Sequence, residues 1–282
     1  MNSLRYPKLE IDTFTETRNA LHSYAKVLGN WLKLVRLKRK HWWHASLRPS
    51  ITGLTSRSIR ANLDFELQLN LQRSQLQIQT TASDPVFILL EGQSGNALIE
   101  EIGDHLASAG LDSQFILNQQ EDEAFNKTFG GYQADQAATL HQTLASVTAA
   151  MEVLRGSIKE ETSPIQLWPH HFDLSMIWLP GEKIPGQDPE NEEYSDKQMN
   201  FGFTFGDGGI PEPYFYITAY PLPETMPATP LPRGTVWQTE GFNGAVLLYR
   251  TLIEEEDPQA YLLDLWTTLL DAGHKLMLTE NS

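Results

Sequence analysis

The chain has 282 residues, 40% hydrophobic and 10% aromatic, which suffices for a sizeable core and is too apolar for a disordered polymer. A formal charge of −15 argues against a general nucleic-acid binder, since phosphate backbones select clustered Lys and Arg. The absence of cysteine excludes disulfides, thiolate metal sites and cysteine nucleophiles together.

Charge is unevenly spread. Residues 1–60 hold twelve Lys/Arg against three Asp/Glu, a balance of +9 that leaves −24 for the rest. A basic segment packed beside an acidic remainder accounts for this. An anion-binding surface near Lys33, Arg36, Lys38, Arg39 and Lys40 is the functional alternative. The N-terminal residues lack the apolar core of a signal peptide, and no run of about 18 apolar residues occurs. The expectation is a soluble cytoplasmic protein with neither membrane nor nucleic acid as partner.

In chain order, Thr13-Phe-Thr-Glu16 has capping-box spacing. After it Leu21, Tyr24, Ala25, Leu28, Trp31, Leu32 and Val35 form an amphipathic stripe, closed by the basic cluster at the negative end of the helix dipole. His41 to Arg48 reads as a strand, with Trp43, Ala45 and Leu47 on one face and Trp42, His44, Ser46 and Arg48 on the other. Leu63 to Leu71 alternates at period two and turns at Gln72-Arg-Ser74 into Leu76 to Thr80, a hairpin with one solvated face. Val86 to Leu90 and an amphipathic helix ending at Gly110 follow. Residues 119–133, polar and Gly-containing, read as a linker.

The second half opens with a helix through Ala137, Leu140, Leu144, Val147, Met151 and Leu154. A strand over Trp168 to Gly181 puts His170, Phe172, Leu174, Met176 and Trp178 on one face, and His171, Asp173 and Ser175 opposite. The charged segment 182–199 reads as an exposed loop. Asn200 to Phe205 and Pro213 to Tyr220 form a strand pair, and a proline-rich stretch, 221–232, leads to Ala245 to Tyr249. Asp257-Pro258 starts a last helix that Gly273 ends. The fold class is therefore α+β with mainly antiparallel sheet. Two related halves, 1–118 and 134–282, each run helix, strand, hairpin, strand, helix within one compact unit. Their helices end alike in Ala109-Gly110 and Ala272-Gly273, which points to internal duplication.

His41-Trp-Trp-His44, Gly53-Leu-Thr55, Ser163-Pro164, Phe172-Asp-Leu174, Tyr194-Ser195 and Pro211-Glu-Pro-Tyr-Phe-Tyr216 occur in that order. In this the chain resembles an uncharacterised bacterial family, a domain of unknown function, over roughly residues 13 to 273. The resemblance implies a shared fold and brings no activity with it. Members often carry His-Glu after the Tyr-Ser, where Asp196 and Lys197 stand here, which weakens a metal or acid/base role for that loop.

Candidate chemistry centres on the two twin strands. Of their imidazoles and carboxylates, only His44, His171 and Asp173 could converge on a metal. His171, Asp173 and Ser175 sit about 7 Å apart along one strand, too far for a nucleophile and its base, although Ser46 could approach His171. Gly206-Asp-Gly-Gly209 lacks the Lys and helix start of a phosphate loop and reads as a hairpin turn. Trp42, Trp168, Tyr194, Tyr214 and Tyr216 offer flat surfaces, and His44, Arg48, His171, Asp173 and Glu212 orienting groups. The expectation is a small molecule bound in a Trp/His/Tyr-lined cleft between the halves, without a cofactor. The alternatives are a protein-interaction module acting through the acidic 182–199 and proline-rich 221–232 loops, or a hydrolase or metal-dependent enzyme at the same cleft. Asp173 is expected on the cleft floor beside His171, with Arg48 or His44 as its other possible partners. Catalysis, a protein partner and oligomerisation are left open.

Overall fold

The computed structural model describes residues 6–191 and 193–278. Helix α1 (Ile11–Val35) is followed by strands β1 (Arg48–Ser50), β2 (Gly53–Thr55), β3 (Phe65–Asn70), β4 (Gln75–Thr80) and β5 (Val86–Leu89), then by α2 (Gly95–Ser108) and α3 (Ala134–Ser157). Next come β6 (Glu161–Thr162), β7 (Gln166–Trp168), β8 (Asp173–Leu179), β9 (Gln198–Thr204), β10 (Tyr214–Tyr220), β11 (Thr235–Gln238) and β12 (Gly244–Leu248). Two helices, α4 (Tyr249–Leu252) and α5 (Pro258–Met277), close the chain. The class is α+β, and every ladder within the two sheets described below is antiparallel. No helix among the described residues is long and apolar enough to cross a membrane.

The contacts divide the chain into two compact units. The N-terminal unit comprises Leu9–Ala145 with Gln166–Phe172, and the C-terminal unit holds Ser146–Ile165 and the chain from Asp173 on, with the described residues ahead of Leu9.

In the N-terminal unit a five-stranded sheet runs in chain order, β1-β2-β3-β4-β5. Period two dictates its faces: Leu67 pairs with Ile78 and Leu69 with Leu76 on the buried side, while Gln68 pairs with Gln77 and Glu66 with Gln79 on the other. Helix α1 buries Leu21, Tyr24, Ala25, Leu28, Trp31 and Leu32, the stripe its spacing predicts. The capping box does not form: Glu10 is the cap residue, and the Thr13 hydroxyl donates to the Glu10 carbonyl at 2.8 Å. Ser94 caps α2, accepting from the Ala97 N–H at 3.2 Å, and Gly110 at φ 98° ends it with Leu111 N–H on Leu106 O. The segment 119–133, read from sequence as a linker, is bonded into this unit. Asn96 donates to Gln120 O and Asn126 Oδ1, Tyr132 donates to Ser74 Oγ, and Phe125 and Phe129 are buried.

The two twin stretches depart most from the sequence reading. Lys40–Ala45 is a 3₁₀ segment rather than a strand, and His41 (φ 48°, ψ 31°) and Trp42 (φ 58°, ψ 21°) lie consecutively in the left-handed region. Period-two facing therefore does not apply to Trp42 and His44. The later stretch breaks as well: β7 ends at Trp168, a turn holds Pro169 to Phe172, and β8 begins only at Asp173. Phe172 sits at φ 56°, its N–H donating to Trp168 O at 2.8 Å. His170 and His171 thus project from a turn and do not share a strand face with Asp173. The stretches nevertheless meet, since Leu47 and Leu167 exchange backbone hydrogen bonds of 3.0 and 2.9 Å.

In the C-terminal unit the strand order is β11-β12-β10-β9-β8-β6. Leu174, Met176, Trp178, Phe201, Phe203, Phe215, Ile217 and Leu247 form its buried apolar face, and α5 contributes Leu262, Leu265, Trp266 and Leu269 to the core. Asp257 caps α5, accepting from Ala260 N–H at 3.1 Å, with Pro258 in the first turn. Gly273 does not end α5, which runs to Met277. A Cβ there would stand 3.2 Å from Trp178 Cζ3 and collide with the Met199 sulfur, so the glycine serves close packing. The 182–199 segment folds back on itself through Lys183 to Asp196 at 2.7 Å and Lys197 to Glu182 at 2.6 Å.

Candidate functional site

On α1, positions 22, 26, 29 and 33 recur at spacings of four, three and four, one face of a helix beside the apolar stripe. They hold His22, Lys26, Gly29 and Lys33. The glycine decides what docks there, because a Cβ on Gly29 would lie 2.8 Å from Pro169 Cβ and Cγ. The Pro169-to-Phe172 turn therefore seats against the helix. Phe172 stacks on His22 (centroids 5.5 Å, 18° between planes), and His22 Nε2–H donates to His170 O at 2.9 Å. Lys33 donates its ammonium to His170 Nε2.

The loop after α1 brings a second imidazole and an indole to the same lysine. Trp42 stacks on His44 (5.5 Å, 26°), with Lys33 Nζ 5.8 Å and Lys38 Nζ 5.3 Å from the Trp42 ring centroid. Arg39 N–H donates to His44 Nδ1 at 3.2 Å, which places the proton of the neutral ring on Nε2. Arg36 secures the loop by donating to Ser56 O at 2.6 Å and Ser58 O at 3.1 Å. Trp42 is 43% exposed and His170 is also exposed, so the cluster opens to solvent.

Every side-chain charge acting on these imidazoles is positive. Burial, with Lys26, Arg18 and His171, pushes His22 down to about 4. Burial, then Lys33, His171 and Lys26, lowers His170. Burial, then Lys33, Lys38 and Arg36, lowers His44, and burial lowers Lys33 itself. Between Glu16 and Asp64 the chain carries ten Lys/Arg and no acidic residue. Among the described residues, none of Lys26, Lys33 and Lys38 forms an ion pair. Three bulky residues in the left-handed region, His41, Trp42 and Phe172, flank the cluster. Such conformations cost on the order of 1–3 kcal/mol each and persist only where surrounding contacts enforce them.

The profile of a family of unknown function (DUF5996) matches residues 6–280. The chain belongs to this family. No curated protein and no solved structure matches it.

The residues expected from sequence in this DUF5996 chain fall into separate places. Trp42 and His44 belong to the cluster, and His171 is an exposed turn residue beside it. Arg48 donates to Gln166 Oε1 at 2.7 Å, and Ser46 donates to the same oxygen at 2.8 Å and to Trp43 O. Both partners of the Ser46 hydroxyl are acceptors that activate no nucleophile. Trp168 is half-buried at the end of β7. In the C-terminal unit, Asp173 is buried and accepts from the Tyr216 hydroxyl on β10, a cleft candidate that the sequence reading does not pair with it. Burial and this carboxylate push the Tyr216 phenol well above its ordinary value. Tyr214 donates to Asp207 Oδ2 at 2.6 Å, Glu212 pairs with Arg250 at 2.7 Å, and Tyr194 packs edge-on against Tyr220 at 5.1 Å. Among the described residues no group of three or more His, Asp or Glu is arranged to hold a metal.

His170 and His22 are not among the candidates that the sequence offers, while Lys33 is, in the anion-binding alternative for the basic cluster. The sequence reading puts His170 on an apolar strand face. The available signal was the 22/26/29/33 spacing on α1, which pairs two cations and a histidine with a glycine where another segment must approach.

Proposed function

We propose that the protein binds a small anionic molecule on the Lys33–His170–His44–Trp42 face of its N-terminal unit. The observation that carries this reading is a solvent-open cluster of lysines and imidazoles whose acting side-chain charges are all positive. Cations held together without a carboxylate repel one another, and an anion in their midst relieves that repulsion and gains charge-assisted hydrogen bonds. Trp42 adds a flat, exposed apolar surface for the body of the ligand. In the 182–199 loop of the alternative interaction module the two lysines are paired within the loop, Lys183 with Asp196 and Lys197 with Glu182.

A thermal-shift screen of small carboxylates and phosphates tests the reading. A ligand at 100 times its dissociation constant adds about 2.7 kcal/mol of stability. Stabilisation of the natural protein that Lys33→Met removes is the expected result. Anions that leave both proteins unchanged, or that stabilise both equally, would falsify it.

A further inference from the structure

The contact between Lys33 and His170 constrains what kind of anion fits. A charged ammonium has donors only, and a neutral imidazole has one donor and one acceptor nitrogen. The Lys33 Nζ to His170 Nε2 bond can therefore exist only with a single positive charge shared by the pair. Protonating both would set two donors against each other. His44 is held neutral in the same way, its Nδ1 taken by the Arg39 N–H. The site thus rests below its full charge, with a proton vacancy at His170.

We propose that the group bound between Lys33 and His170 is the dianion of a soluble phosphate monoester, and that His170 takes up one proton from solvent as it binds. The inference rests on the anion reading above and deepens it. A carboxylate would be neutralised by Lys33 alone and would have no use for the vacancy. A phosphate monoester carries about −1.5 to −2 charges at pH 7 and three acceptor oxygens. Those oxygens match the Lys33 ammonium, the newly charged His170 Nε2–H and the Nε2–H of His44, whose Nδ1 the Arg39 N–H occupies, with Lys38 on the Trp42 ring close by. Lys33, Lys26 and His22 from α1 and His171 from the turn are the titratable groups that face His170. None is acidic, so only the ligand supplies the negative charge that lets His170 hold its proton.

Calorimetric titration of the full chain with sulfate, glycerol phosphate and acetate, in two buffers of different ionisation enthalpy, tests this. Sulfate is dianionic across the pH range, so any proton taken up belongs to the protein. The expected result is binding of sulfate and glycerol phosphate with close to one proton taken up per site at pH 7.5, and at most weak binding of acetate. Sulfate affinity should then rise by about tenfold per pH unit lowered. His170 is exposed, and H170Q should keep weakened binding while losing the proton uptake and the pH dependence. Sulfate binding without proton uptake, or uptake that survives in H170Q, overturns the proposal. Acetate binding as tight as sulfate overturns the dianion while leaving the anion site standing, whereas no binding of any anion removes the underlying reading as well. Tighter capture by phosphatidic acid vesicles than by glycerol phosphate would overturn the soluble ligand.

Discussion

Two places in this molecule hold charge in partly dry surroundings, and they do so in opposite ways. In the C-terminal unit the Asp173 carboxylate accepts from Tyr216, and Tyr214 donates to Asp207, so each acid meets a hydroxyl from β10. In the N-terminal unit Lys33, His170, His44 and His22 gather under further cations, and their hydrogen bonds go to imidazole and backbone atoms. The first arrangement answers each acid with a hydroxyl from the fold itself, and these bonds stabilise it. The second is left short of negative charge, and the fold keeps its imidazoles neutral to tolerate the crowding. Polar residues in a core are thus informative less by their type than by whether the fold itself answers their charge.

The largest expected effect concerns acid. His22 titrates near 4 in the fold against about 6.5 in the unfolded chain. Below pH 6.5 the unfolded chain takes a proton that the folded chain refuses, so this contribution is intact above 6.5 and lost as pH falls towards 4. Urea unfolding should show up to about 3 kcal/mol lost across that window from this group. His22→Gln should flatten that part of the profile, and an unchanged profile would contradict the burial argument.

Next comes the Asp173–Tyr216 bond. Tyr216→Phe removes a donor to a charged acceptor and should cost about 1.5–3 kcal/mol in equilibrium unfolding, with anion affinity unchanged. A loss of anion binding with full stability would make Asp173 part of the ligand site and erase the contrast. Gly29→Ala sharpens the comparison from the other side. Its added Cβ forces the Pro169 turn away from α1, so sulfate affinity should fall several-fold for a stability loss of about 1 kcal/mol. Trp42→Ala, at an exposed position, should stay within about 0.5 kcal/mol of the natural stability while weakening ligands with a flat body more than sulfate.

Much of the fold was legible because it is local. The α1 stripe, the β3–β4 hairpin, the Asp257-Pro258 start of α5 and the Gly110 stop follow from spacing and capping chemistry alone. The two twin stretches were not legible. Alternating His, Trp and Phe satisfy period two, yet His41, Trp42 and Phe172 take left-handed conformations that only tertiary contacts enforce. The turn at Pro169 exists because Gly29, 140 residues earlier, leaves room for it. The Asp173 partner was missed for the same reason, since nothing local marks Tyr216 as lying across β9 over Gly202. Trp42 and His44 do stack on one another, but not through the shared strand face that the sequence suggests, since the segment is 3₁₀.

The central claim is that a phosphate-like anion finds its place beside Lys33, and the histidine ring signals read this most directly. Of the eight histidines, His170 and His44 adjoin Lys33, while His141 Nε2–H donates to the Ile51 carbonyl and His274 pairs with Glu160. Nitrogen-correlated NMR of the rings during a titration with glycerol phosphate should move the His170 and His44 resonances together and saturably, with His170 passing to the protonated form. His141 and His274 should stay in place. Uniform small shifts of all rings, or saturable shifts confined to His141 or His274, would contradict the account.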